Sequence, residues 1–362
     1  MKILIVQDHL RSGGTERQSV LLANAFSRLH TTTLLTFRPG GPLASTVDPA
    51  VTRVSLQSPD MRLDWFAPRL RCSVARLGPD VVLCMGRMAN CYAGQLQQQR
   101  PRSAVIATMR TGKPLPWLFR RSLPRVRHIV ANSREAQDTL VHRYGVASDR
   151  ITVIHNSLVF APAAEKSAQH AARDALRTQH HAAPAAFVLL CVAMFRPEKL
   201  QRELIEIAAG LPRELDWQLW LAGDGPARAA CECLVASRQL SSRVKFLGFV
   251  RDPSTLYAAA DVAVHASASE SLSNFFIEAQ AHGLPCVAYS AQGIAETFLP
   301  GRTGWVVPRD DRAAFQAALR RLAALTPEAR STLGAAARAF ARTAFDHSRQ
   351  VQAYLDLFSR WS

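Results

Sequence analysis

Two glutamates, Glu270 and Glu278, lie eight positions apart in SESLSNFFIEAQAHGLPCVA, a stretch with no other acidic or basic residue except His282. Paired carboxylates could act as the acid and the nucleophile or base of a glycosidase. They could also hold a ligand by accepting hydrogen bonds, or simply sit in solvent. Ser271 to Asn274 supply polar residues suited to a helix start, and FFIEAQAHG reads as a helix ending at Gly283 before Pro285. Glu270 then precedes the helix and Glu278 lies about a turn inside it. Its neighbours Phe275, Phe276, Ile277 and Ala281 are apolar. A carboxylate on such a face is costly unless paired or hydrogen-bonded, so a polar partner is expected at Glu278.

Three other stretches carry residue types with chemical use. VAMFRPEKLQRELIEI places Arg196 and Lys199 around Pro197, between a strand and a helix. A guanidinium and an ammonium there could neutralise a diphosphate; taken alone, a solvated basic turn explains them better. RSGGTERQ follows the first strand and opens the first helix. Gly13 and Gly14 permit close backbone approach, and the helix start offers free N–H groups to a phosphate. A tight strand-to-helix turn is an equal reading. It is not G-x-G-x-x-G, and no acidic residue ends a second strand, which disfavours a nicotinamide-type site. LAGDGP reads as a structural turn, and Gly248 in VKFLGFV as strand packing that could approach a planar ligand.

The elements that must position these residues alternate. KILIVQ, TTTLLTF, DVVLCMG, SAVIATM, HIVANS and ITVIHN are strand-like runs separated by helical or loop segments. FVLLCVAMF, WQLWLAGDG, RVKFLGFV, DVAVHAS, LPCVAYS and GWVVP then repeat the theme. Such alternation predicts parallel sheets with helices on both faces. The break falls at 161–186, APAAEKSAQHAARDALRTQHHAAPAA, which lacks strand character and reads as a linker with a short helix. The expected organisation is an α/β domain over 1–160, the linker, a second α/β domain over 187–345, and a last segment, 346–362, free to pack on either domain.

Composition narrows the class. With 362 residues and 48% hydrophobic content, two cored domains are expected. The opening MKILIVQDHLRSGG has the short apolar run of a strand rather than of a secretory leader. Seven scattered cysteines read as reduced thiols in a cytoplasmic protein. Cys231 and Cys233 lack a second ligand pair at zinc spacing. The net charge of +16 is uneven: residues 1–160 hold 22 Lys/Arg against 9 Asp/Glu, and the remainder 22 against 19. A basic first half points to an anionic partner.

With these motifs in hand, the chain resembles the GT-B glycosyltransferases of family 4, the group 1 transferases that use nucleotide-diphosphate sugars. The resemblance rests on the E-x(7)-E motif, Glu270 to Glu278, continued by EAQAHGLPCVA. SGGTER, VANSREAQDTLVHRYGV, ITVIHNS, FRPEK, LAGDGP, VKFLGFV, LYAAADVAV and GIAETFLPGRTGWVVP follow in family order over nearly the whole chain. The resemblance implies two Rossmann-like β/α/β domains facing a central cleft, the N-terminal one for the acceptor and the C-terminal one for the donor. It implies a retaining transfer from a UDP- or GDP-sugar co-substrate, with no bound cofactor and no metal. Consistently, the chain has no D-x-D motif. By position, Glu278 would accept from the ribose hydroxyls and Glu270 would lie near the transferred sugar. The main chain of Ser271, Leu272, Ser273, Asn274 and Phe275 would meet the diphosphate or sugar. Arg196 and Lys199 would stabilise the leaving diphosphate, and Gly13 and Gly14, with Arg17 nearby, would let a loop close over it.

Three departures stand out. Met194 occupies the place of the usual arginine, leaving Arg196 two positions on to substitute. Met85 and Gly86 stand where many members carry a histidine, so Arg87, Asn90 and Arg110 become the candidates for acceptor or sugar contacts. IHNSLVF replaces the common PNGVD. The segment RTGKPLPWLFRRSLPRVR, 110–127, sets six basic residues among Leu115, Trp117, Leu118, Phe119 and Leu123. It reads as docking on an anionic membrane surface, with a glycolipid or lipopolysaccharide acceptor on the inner face of the cell membrane. The competing reading is a surface helix with its apolar side on the sheet. Two other functions are weighed: a GT-B-fold nucleotide-sugar epimerase, which would form product without acceptor, and a basic nucleic-acid binder, for which no reader motif is present.

Overall fold

The computed structural model describes residues 1–160 and 166–361, with side chains in the helix Lys166–Gln179 described from His170 onward. The chain forms two compact units, Met1–Ser157 with His347–Ser362, and Leu158–Asp346. Each is built on one sheet whose strand pairs are all parallel.

The first sheet contains β1 (Lys2–Gln7), β2 (Thr31–Thr36), β3 (Thr52–Ser55), β4 (Val81–Cys84), β5 (Ala104–Met109), β6 (His128–Ala131) and β7 (Ile151–Val153), in the order β3-β2-β1-β4-β5-β6-β7. The second contains β8 (Phe187–Val192), β9 (Trp217–Ala222), β10 (Val244–Gly248), β11 (Val262–His265), β12 (Cys286–Tyr289) and β13 (Gly304–Val307), in the order β10-β9-β8-β11-β12-β13. The inner strands are near-continuous apolar runs because helices cover both faces: β4, β5, β6 and β9 are buried throughout. Both orders are doubly wound. Strand order reverses beside β1 and β4 in the first unit and beside β8 and β11 in the second. In such sheets ligands bind outside the carboxyl ends of the strands at that reversal.

The C-terminal helix His347–Phe358 belongs to the first unit, where Tyr354 and Phe358 pack edge-on against Phe26 at 6.2 and 5.5 Å. Gln18 pins the exit from this unit through the Ser157 carbonyl (2.7 Å) and N–H (2.9 Å), and Ser157 Oγ meets His347 Nδ1 at 3.0 Å. In the second unit, the Leu158 N–H donates to the Phe345 carbonyl at 3.0 Å.

The segment 161–186, expected as a linker with a short helix, carries a helix that belongs to the second unit. Its first five residues lie outside the described residues. The helix Lys166–Gln179 that follows is part of the second unit and packs on the helix Ser254–Ala259. Arg177 is buried and donates to the carbonyls of Ala183, Pro184, Ala186 and Ala259, while both Arg173 and Arg177 pair with Asp261. Among the described residues no helix is long and apolar enough to cross a membrane.

Candidate active site

The second sheet assembles the residues around which the motif reading turned. The loop after β8 carries Arg196 and Lys199; the loop after β11 carries Glu270. They are tied by main chain: the Ala268 N–H and Ser267 Oγ donate to the Glu198 carbonyl at 2.9 and 3.2 Å, and Arg309 donates to the Ala268 carbonyl at 2.8 Å. The first loop is also shaped from behind by LAGDGP. Gly223 and Gly225 have φ of +137° and +148°, and a Cβ on either would lie 2.0 Å from the Ala193 carbonyl oxygen or 2.4 Å from that of Phe195. This turn, read from sequence as structural, is what the lysine loop rests on. Leu200 closes that loop at φ +52°, a conformation unfavourable for a branched residue and held in place by packing on the core.

Lys199 and His265 converge on one oxygen. The Lys199 ammonium pairs with Glu270 Oε1, and His265 Nε2 lies 2.8 Å from the same atom. Glu270 Oε2 has no partner among the described residues. The His265 side chain is 2% exposed and that of Glu270 12%. Burial works to raise the Glu270 pKa, but the His265 hydrogen bond and the Lys199 charge outweigh it and bring the carboxyl down to about 2. Burial lowers the pKa of His265, leaving it a neutral donor. Its Nδ1 is buried and has no partner among the described residues.

Glu278 meets the polar partner its apolar surroundings required: Tyr257 Oη donates to Oε2 at 2.6 Å. Tyr257 comes from the helix Ser254–Ala259 and stacks on His282 at 5.1 Å and on Phe275 at 6.1 Å. The helix Asn274–Ala281 begins at Ser273, whose side chain does not cap it. Leu272 and Phe275 are buried in apolar clusters, so their side chains are committed to packing and only their main chain could serve a ligand. Arg196 is exposed, and its guanidinium has no partner among the described residues. Gly248 has φ +68°, and its carbonyl accepts from the Gly223 N–H at 2.7 Å.

In the first unit, Gly13 precedes the helix Gly14–Ser27 without a side-chain cap, and Arg17 lies in its first turn, partly buried. The reversal beside β1 and β4 is filled by Asp8, whose oxygens accept the N–H groups of Met88 (2.9 Å) and Ala89 (2.7 Å). Burial pushes its pKa up to about 6 against the pull of those bonds. A Cβ at Gly86 would fall 2.2 Å from Asp8 Oδ1 and 2.5 Å from Gln7 Oε1, which explains why no side chain stands there.

Two candidates for acceptor or sugar contacts already have partners within the first unit. Asn90 is fully buried; its amide donates to the Gly86 carbonyl (2.8 Å) and accepts from the Thr108 N–H (2.8 Å). Arg110 is engaged within its own unit, with Asn156 Oδ1 at 2.5 Å and Tyr354 Oη at 2.8 Å. Arg87 remains exposed, its guanidinium donating to the Pro114 carbonyl at 3.1 Å. His265, Tyr257 and Asp8 were not singled out from sequence. A lone imidazole closing the apolar strand VAVH was the available signal for the first.

The basic segment divides. Leu115, Phe119 and Leu123 are buried, whereas Trp117 is 61% and Leu118 45% exposed. Arg121 sits 4.6 Å from the Trp117 ring centroid, and Arg120 and Arg143 flank Tyr144 at 5.9 and 5.7 Å. With Leu123 these residues line a shallow pocket of about 260 Å³.

Comparison with known proteins decides the family. Residues 12–158 match the family described as Glycosyltransferase Family 4, and residues 186–324 match Glycosyl transferases group 1. The chain is a family 4 glycosyltransferase. The lipopolysaccharide core biosynthesis glycosyltransferase LpsD of Rhizobium meliloti is 34% identical to this glycosyltransferase over 142 residues, covering 39% of this chain and 41% of that protein. The N-acetyl-alpha-D-glucosaminyl L-malate synthase of Bacillus anthracis is 32% identical over 119 residues, covering 33% and 31%. The matched stretches span between 31% and 50% of the curated relatives' own length. In fold, the glycosyltransferase is similar to Anabaena HepE, solved in complex with UDP (TM-score 0.83, 20% identity, covering 99% of this chain and 100% of that one). It is also similar to WaaG, a glycosyltransferase involved in lipopolysaccharide biosynthesis (TM-score 0.74, 18% identity, 98% of each chain). The architecture is GT-B: two Rossmann-like domains with parallel sheets.

Proposed function

We propose that this protein transfers a sugar from a nucleoside-diphosphate sugar to a lipid-linked or lipopolysaccharide-type glycan, with retention of anomeric configuration and without a bound metal ion. The observation that carries the reading is the part-buried Lys199–Glu270 pair at the strand-order reversal of the second sheet, with Glu270 Oε2 unpartnered among the described residues. On this reading the second unit binds the donor. Glu278, oriented by Tyr257, accepts from the ribose hydroxyls; Glu270 meets the sugar; Lys199 and the exposed Arg196 face the diphosphate as negative charge develops on departure. The uncapped start of the helix Asn274–Ala281 suits an anion. In the first unit, Arg87 is assigned to the acceptor. The UDP complex of HepE makes uridine the first nucleoside to test, and LpsD supports a lipopolysaccharide-type acceptor.

Glu278→Ala is expected to weaken nucleotide-sugar binding by about 1.5–3 kcal/mol, the range for a hydrogen bond to a charged group. Titration calorimetry over a panel of UDP- and GDP-sugars measures it, and unchanged affinity for a donor that binds wild type overturns the assignment.

The exposed Trp117 and Leu118 beside Arg120, Arg121 and Arg143 support peripheral docking of the first unit on the inner face of the cell membrane. Co-sedimentation with phosphatidylglycerol vesicles is expected to fall steeply as salt rises and to be lost in Arg120→Glu/Arg121→Glu. Absence of binding at every salt concentration refutes the docking while leaving the donor assignment intact.

A further inference from the structure

We propose that His265 is the positioning residue for Glu270: its Nε2–H fixes Oε1 so that Oε2 stays available to a hydroxyl of the bound sugar while Lys199 is shared with the diphosphate. This rests on the donor reading given above.

The geometry leaves the ring few alternatives. His265 ends β11, is 2% exposed, and has Phe275 and Phe276 at 6.0 Å with interplanar angles of 89° and 77°. An ionised carboxylate only accepts, so the proton shared with Glu270 sits on Nε2. Nδ1 then carries a buried lone pair with no partner among the described residues, which costs free energy that an apolar residue would avoid. What the imidazole supplies in return is the bond to Glu270.

Lys199 cannot do this work alone. Among the described residues it is the only cation paired with Glu270, and on the donor reading it also faces the phosphates. Once its ammonium turns to them, desolvation would raise the pKa of a carboxylate left without a second donor. A neutral imidazole keeps the carboxylate ionised without cancelling the charge the sugar meets. The groups facing Glu270 are Lys199 from the loop after β8 and His265 from β11. Beyond them lie the buried Cys191 thiol of β8, which feels both charges, and Arg309, held on the Ala268 carbonyl.

The test compares His265→Gln, which keeps an N–H near the Nε2 position, with His265→Asn and His265→Leu, which do not. The ionisation of Glu270 is followed by carbon-13 NMR of glutamate-labelled protein, its signal identified by its loss in Glu270→Gln. In His265→Asn and His265→Leu the Glu270 midpoint is expected to rise by at least about one pH unit. Release of nucleoside diphosphate from the donor should slow about tenfold or more, with KM within about threefold. His265→Gln should restore both. A purely structural role would lower thermal stability and leave the Glu270 titration in place. An unmoved titration in the Asn and Leu variants, or failure of Gln to restore it, overturns the proposal. If Leu does not fold, Asn decides the outcome. A wild-type protein that binds no nucleotide sugar overturns the donor reading instead, and the titration still reports whether His265 sets the state of Glu270.

Discussion

Glu270→Gln is expected to reduce the rate of sugar transfer by about 10²–10³-fold, the scale for losing one preorganised electrostatic contact to a reacting group, with donor affinity changed only a few-fold. The substitution is nearly isosteric, so the loop keeps its main-chain ties to Glu198. The electrostatics invert. Lys199 and His265 both donate to one carboxylate oxygen, so the amide oxygen must turn to them and the NH₂ takes the place of the open Oε2. An acceptor of a sugar hydroxyl thus becomes a donor. Paired measurements of product formation and donor binding test this; a variant turning over at the wild-type rate removes Glu270 from the chemistry. The same pair sets an acid limit. With its folded-state pKa depressed from 4.5 to about 2, Glu270 contributes stability that is fully present above about pH 4.5 and lost as pH falls through about 2.

Asp261→Ala is expected to destabilise the second unit by about 3–5 kcal/mol, the usual cost of stranding one partner of a buried ion pair. Asp261 accepts from Arg173 (2.8 Å), Arg177 (2.7 Å) and the Val188 N–H (2.8 Å), with Arg330 at 3.5 Å. Without it, Arg177 keeps only carbonyl partners and its buried charge goes uncompensated. For a unit of this size each kcal/mol lowers Tm by about 2–4 °C, so a drop of about 6–20 °C should appear by calorimetry. Adding Arg177→Met should recover part of it, because the stranded charge is then gone. A drop under about 2 °C would show that the clasp does not hold the helix Lys166–Gln179.

Those two cases mark how far the sequence could be read. The alternation of Val/Ile/Leu runs with Gly/Pro turns made the parallel sheets legible, because strands buried on both faces must be apolar throughout. The motif pair Glu270–Glu278 was legible through its misfit with apolar neighbours. The clasp was not: Arg173 and Arg177 lie in an alanine-rich, charged stretch, and their partner is more than 80 residues away. Asn90 looked available for a sugar because an amide near a strand end is ambiguous until its partner is known, and that partner is the main chain of β5. Arg110 is explained by Tyr354, 244 positions on. Polar side chains announce a need for partners, whereas only the fold says whether the protein has already met it.

The first unit's return to the chain's last helix has a consequence for synthesis. Residues 1–157 leave the ribosome first, but Tyr354 and Phe358, which cover Phe26, follow only after the whole of Leu158–Asp346. At about 5–20 residues per second, that interval is on the order of 10–40 s. During it the nascent first unit carries an uncovered apolar face while the second unit, translated later, can already close. The half made first is therefore finished last, and its exposed face is where a holding chaperone would find the growing chain.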